Sequence, residues 1–225
     1  MAGFTSTLPR TLLSPSLYSH VHNVWFQGVA PHAKVASREA MTRWFGQGSP
    51  EDPENIAGPL MQSINTSDGE TKSMQTLALV LLLDQMPRNI FRTRQAVIYT
   101  HYDRLARAVL RSLMSAESRP DMHPSLRLAP ARRMWFYMPL MHSEHVEDHE
   151  TYIKVVSEMQ EEFRQQGDKQ SEDYIGDSLE FEKKHKHLIE RFGRYPHRNA
   201  QLGRSMTKEE EEYLRSGGEH FGTAA

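Results

Sequence analysis

Residues 185–204 read HKHLIERFGRYPHRNAQLGR and hold three histidines, four arginines and one asparagine within twenty positions. Arginine presents a planar fork that fits a carboxylate or a phosphate, and histidine carries a proton exchangeable near neutral pH. These types together describe an anion-handling pocket, in which His185, Arg191, Arg194, Arg198, Asn199 and Arg204 contact the anion and His197 moves a proton. The same residues also suit a second role, with the arginines capping helix ends and bridging to carboxylates to hold the fold.

Two other stretches carry comparable chemistry. In DQMPRNIFR, Asp84, Arg88 and Arg92 are spaced four apart, so a helical continuation stacks them on one side with Gln85 and Asn89 on an adjoining line. Asp84 would act as a general base or orient an arginine clamp, and Pro87 would kink the helix beside the charged row. A salt-bridge ladder fixing helix angles is the competing reading. In HSEHVEDHE, a helix would bring His142, His145 and His149 to one face, beside Glu144 and Asp148. That row resembles metal-ligand spacing only weakly, because it matches neither HExxH nor a paired ExxH pattern. A histidine serving acid–base work, with His142 as the candidate, or structural hydrogen bonding is the stronger expectation, and no metal is assigned.

The elements that must position these residues read as helices. From residue 17, Leu17, Val21, Val24, Trp25 and Phe26 fit a first amphipathic helix, and a second is expected over residues 37–46. Ile56, Leu60, Met61 and Ile64 keep helical spacing. Residues 74–83 lack the alternation of a half-exposed strand and read as a buried central helix leading into Asp84. Residues 94–114 and 151–166 read as long amphipathic helices. Ile175, Leu179, Phe181, Leu188, Ile189 and Phe192 mark the one that ends at a Gly193 stop before a turn through Tyr195 and Pro196. Thr207 and Glu210 form a capping box for a final helix.

Composition narrows the function classes. At 225 residues, one well-buried domain is the expectation, preceded by a flexible leader over residues 1–16 and followed by a tail over 222–225. The 27 basic and 29 acidic residues leave a net charge of −2, so no global field draws in nucleic acid or an anionic membrane. There is no cysteine, which removes disulfides, thiol nucleophiles and thiolate-bound metals and fits a reducing, cytoplasmic setting. The apolar run over residues 77–83 is too short to span a bilayer. No dinucleotide or P-loop fingerprint implies a cofactor.

The segments LVLLLDQMPRNIFR, MPLMHSEHVEDHE and HKHLIERFGRYPHRNAQLGRSMTKEEEEYL, in this order, closely resemble the domain-of-unknown-function 924 family over residues 21–221. The resemblance implies an all-helical fold with a tetratricopeptide-repeat-like superhelical arrangement and leaves function open. The family's motif positions fall on Asp84, Gln85, Pro87, Arg88, Asn89, Arg92 and Asp103, on His142, Ser143 and Glu144, and on His185, Arg191 to Arg194, Pro196 to Asn199, Gly203 and Arg204. His145 and His149 lie outside that pattern. The chain also departs from it at Met86, Leu140 and Tyr195, where phenylalanine is usual, and at Glu182, where alanine is usual.

The resulting expectation is an all-α single domain over residues 17–221, its charged motifs meeting in a cleft between the central helix and the last long helix. The function expected is that of a small-molecule enzyme without redox cofactor, hydrolase-like or lyase-like, acting on a carboxylate- or phosphate-bearing substrate. The alternative is a helical scaffold that binds an acidic peptide or a protein carboxy terminus, its polar motifs partly structural.

Overall fold

The computed structural model describes residues 19, 21–23, 25–36, 68–115 and 119–221. The expectations for residues 1–16, 37–46, 56–64 and 222–225 lie outside them. The fold is all-α, and no strand occurs among the described residues. Residues 19, 21–23 and 25 are helical, and from residue 68 onward the helices are, in chain order, α1 (Gly69–Val80), α2 (Met86–Ile90), α3 (Gln95–Val97), α4 (Asp103–Met114), α5 (Pro124–Arg127), α6 (Pro130–Arg133), α7 (Met138–Met141), α8 (Val146–Gln165), α9 (Lys169–Phe192) and α10 (Lys208–Arg215). The chain forms two compact units, residues 1–90 with 108–136 and residues 91–107 with 137–225.

In the first unit, Asp68 starts α1 by accepting hydrogen bonds from the Glu70 and Thr71 amides at 3.1 Å each. From Leu77 to Leu83 no side chain is more than 3% exposed, as expected of a helix that is apolar all round. Between α1 and α2 the backbone widens into a π turn over Leu81–Gln85, closed by the Met86 amide on the Leu81 carbonyl. The widened turn comes directly before Pro87, which has no N–H to donate and whose ring crowds the preceding turn. Trp25 meets Trp135 edge-on at 5.3 Å, and the Arg132 guanidinium lies 4.4 Å from the Phe26 ring.

The second unit is built on α8 and α9, which pack along each other and bury Tyr152, Val155, Val156, Met159 and Phe163 with Ile175, Leu179, Leu188 and Ile189. The close approach is visible at Gly176, where a Cβ would stand 2.8 Å from Gln160 Nε2. Asp168 caps α9, and Gly193 ends it in the left-handed conformation at φ 69°. A 3-10 turn over Pro196–Arg198 follows, as the sequence predicts. The Thr207 and Glu210 capping box starts α10. A second π turn, Ile98–Tyr102, joins α3 to α4; its extra residue rotates the following face by about 100° and sets the phase of Asp103 relative to Tyr99.

Candidate functional site

In the second unit the polar groups gather around Arg198. The turn after Gly193 carries this side chain inward, where the residue is 6% exposed. Its guanidinium lies between two aromatic faces, 4.6 Å from the Tyr99 ring and 4.4 Å from the Tyr195 ring. Nη1 donates to the His142 carbonyl at 2.9 Å and stands 3.5 Å from the Asp103 carboxylate. Buried charge demands such partners, and the two rings add cation–π attraction on both faces. The Arg198 Nε–H is buried without a hydrogen-bond partner among the described residues.

Tyr195 ties the cluster together. Its amide donates to Glu144 at 2.9 Å, its hydroxyl donates to the Met141 carbonyl at 2.6 Å, and its carbonyl accepts from Arg204 at 3.3 Å. His149, His185 and His197 stand around its ring with centroids 6.3, 5.9 and 5.4 Å away. His185 is 3% exposed, and its Nδ1 bonds the Phe181 carbonyl at 3.0 Å. Burial pushes its imidazole down to about 2, against that carbonyl's pull and with help from His142, His149 and Arg198. Burial and the Arg198 charge take His197 to about 3, and His197 Nδ1 is buried with no partner among the described residues. Both rings are therefore neutral near pH 7.

Other arginines of the stretch engage carboxylates. Arg194 forms a fork on Glu210 at 2.6 and 2.8 Å, which holds that carboxyl at about 2. Arg204 forms another on Glu144 at 2.7 and 2.9 Å. Burial alone would raise the Glu144 carboxyl; the Arg204 fork, the Tyr195 amide and the Arg198 charge outweigh it and hold the group low. Arg191 pairs with Glu209 at 2.8 Å on the exposed side. Asn199 is fully buried, with its amide nitrogen 3.1 Å from Met206 Sδ. The fold-holding role weighed from sequence is thus realised at Arg194 and Arg204.

The row from the earlier motif divides between the units. Asp84 is fully buried in the first, bonded by Gln85 Nε2 at 2.5 Å and paired with Arg88 at 3.5 Å, the i,i+4 pair read from sequence. Asn89 reaches back to the Gln85 carbonyl at 3.4 Å. Arg92 belongs to the second unit and is exposed.

The three histidines His142, His145 and His149 do not share a helix. His142 ends α7, His145 precedes α8, and Ser143 closes the turn between them by bonding the Asp148 carboxylate at 2.6 Å and accepting from the His145 amide at 3.1 Å. Arg107 also engages Asp148. His145 is exposed, and no group of three or more potential metal ligands gathers among the described residues.

Sequence reasoning missed a buried pair at His149 and Glu182, both fully buried, with Nδ1 and Oε1 2.6 Å apart. His149 Nε2 meets the Ser143 carbonyl at 2.9 Å. A carbonyl only accepts, so Nε2 carries the hydrogen and one proton is shared between Nδ1 and Glu182. Burial pushes the Glu182 carboxyl up, with His149 opposing. Serine, histidine and glutamate stand close here, but the imidazole faces the Ser143 carbonyl and the hydroxyl faces Asp148. A nucleophile activated by its neighbour needs the opposite arrangement. The only sequence signal for the pair was that both residues depart from the family pattern.

The depressed histidines set a pH dependence. In the unfolded chain they titrate near 6.5, so below that pH the unfolded state takes up protons that the native state refuses, and stability falls toward pH 3. Glu144 and Glu210, held low, add to the loss below about pH 4.5; Glu182, pushed up, acts in the opposite sense. A single buried imidazole contributes a slope of up to about 1.4 kcal/mol per pH unit. Unfolding free energies from urea titrations between pH 6 and 4 should therefore fall more steeply for the unaltered chain than for His185→Phe, by about 1 kcal/mol per pH unit. Parallel curves would place the acid sensitivity elsewhere.

No curated protein matches the chain. Among solved structures, it is similar to a protein of unknown function, ATU0120 from Agrobacterium tumefaciens, at 24% identity and a TM-score of 0.57, over 90% of this chain and 98% of that one. That likeness concerns the fold alone. Residues 21–218 match the model of DUF924, described as a bacterial protein of unknown function, and the chain belongs to that family.

Proposed function

We propose that the second unit carries the site of a small-molecule enzyme, hydrolase-like or lyase-like and without redox cofactor, that acts on a carboxylate- or phosphate-bearing substrate. One observation carries the reading. A buried guanidinium that lies over the Tyr99 and Tyr195 rings keeps an Nε–H with no partner among the described residues, and the next residue in the chain, His197, is a neutral imidazole whose Nδ1 is likewise buried with no partner among them. Preorganised charge beside a neutral imidazole is what anion binding with proton transfer requires.

In this reading Arg198 meets the anion, His197 accepts a proton, and His142 is the second proton-transfer candidate, its carbonyl also fixing Arg198. Asp103 faces the same Nη1 and helps orient the guanidinium. Arg194 and Arg204, engaged by Glu210 and Glu144, act as framework.

Thermal unfolding of the full chain against small carboxylates, phosphates and acidic peptides tests the reading. Binding to the native state raises apparent stability by about 2.7 kcal/mol at a hundredfold excess over Kd. A small anion should raise Tm in the unaltered chain and raise it much less in a folded Arg198→Lys variant, which lacks the guanidinium fork. A response to long acidic peptides alone would favour the scaffold. No response to any compound would remove the anion site.

A further inference from the structure

Phe221 takes a backbone conformation that needs a cause. Its φ of 48° places it in the left-handed region, where among the described residues all the others are glycines. A Cβ there crowds the following carbonyl. Ring contacts hold it: Phe221 stacks on His185 with centroids 3.6 Å apart and planes 15° apart. Its ring also meets Tyr195, His197 and Phe181 edge-on at 6.0, 5.9 and 5.7 Å.

The segment before it is shaped to deliver that ring. Gly217 turns the chain at φ 88°, and Gly218 passes so close to Tyr213 that a Cβ would lie 2.3 Å from its ring. The Glu219 amide donates to the Tyr213 hydroxyl at 2.9 Å, and the Glu219 carboxylate pairs with Lys184 of α9 at 3.2 Å. The slot that Phe221 fills borders the Arg198 cluster, because the Tyr195 ring contacts both Phe221 and the Arg198 guanidinium. His185, Tyr195, His197 and Arg198 lie within the family match, which ends at residue 218, three residues before Phe221.

Resting on the anion site proposed above, we infer that this slot is its aromatic-ring subsite and that Phe221 is an internal plug. The ligand is then an anion carried on a planar aromatic ring, the ring displacing Phe221 from His185 while the charge meets Arg198. Flatness is the criterion the slot sets: one parallel ring at stacking distance and three rings near perpendicular to it suit a planar ring. Displacement is feasible because Phe221 is only half buried and leaves a backbone conformation that disfavours it.

The test uses the full chain and Phe221→Ala, with two probe pairs in calorimetry: phenyl phosphate against inorganic phosphate, and phenylacetate against acetate. A plug in place about nine-tenths of the time weakens apparent affinity about tenfold. One aromatic anion should therefore bind Phe221→Ala about tenfold more tightly than the unaltered chain, while its simple counterpart binds both alike. Equal aromatic affinities, with a simple anion still bound, would overturn the plug and leave the anion site. Absence of binding by all four probes to both proteins would overturn both. If Phe221→Ala does not fold, the unaltered chain decides: under saturating aromatic anion the cross-relaxation between the Phe221 and His185 rings should vanish, and its persistence would overturn the plug.

Discussion

Arg198→Ala is expected to lower the stability of the chain by about 3–5 kcal/mol, because it removes a buried side chain that bonds the His142 carbonyl, faces the Asp103 carboxylate and packs on the Tyr99 and Tyr195 rings, and leaves a cavity in its place. For a chain of this length that is a fall in Tm on the order of 10 °C. Arg198→Lys separates charge from shape. Lysine keeps the cation but not the plane that fits between two rings, so it should recover only part of the loss. If Arg198→Ala unfolds at the same temperature as the unaltered chain, the sandwich does not organise the unit. If lysine restores everything, charge alone matters.

Tyr195→Ala carries the other large effect. The side chain is fully buried, and its removal creates a cavity among His149, His185, His197 and Phe221, a cost of about 3–5 kcal/mol. Tyr195→Phe isolates the hydroxyl, whose loss leaves the buried Met141 carbonyl without that donor and should cost about 1–2 kcal/mol. Urea unfolding of both variants, combined with Arg198→Ala in a double-mutant cycle, measures the coupling. A value near zero would contradict the packing of guanidinium on ring, for which about 1–2 kcal/mol is expected.

Local signals made much of the fold legible. Gly193 ends α9 as a left-handed stop, Thr207 and Glu210 form their capping box, and the leucine-rich run forms a helix buried on every side. Each depends on residues a few positions apart, where spacing alone determines contact. The Asp84 and Arg88 pair was readable for the same reason.

Partner choice across the chain was not legible. The arginines of one stretch select Glu210, Glu144 and Asp103, and nothing in their immediate sequence distinguishes the inward guanidinium of Arg198 from the exposed one of Arg191. Helix packing makes that distinction. The three-histidine row failed for a related reason: Ser143 can bond Asp148 and the His145 amide, which favours a turn where uninterrupted helical spacing was assumed. The pairing of Glu182 with His149 was not legible because the two sit on different helices, 33 residues apart.

Nitrogen-15 NMR of the arginine and histidine side chains, during titration of the full chain with small phosphates and carboxylates, tests the central claim most directly. Arg198 Nε–H is buried and should exchange slowly enough to be observed apart from exposed guanidinium groups such as that of Arg215. The Arg198 Nε–H and His197 ring signals should shift together and saturate with one dissociation constant, while Arg215 and His32 stay still. Shifts confined to exposed arginines, or none with any anion, would contradict an anion site at Arg198 and leave the cluster as framework.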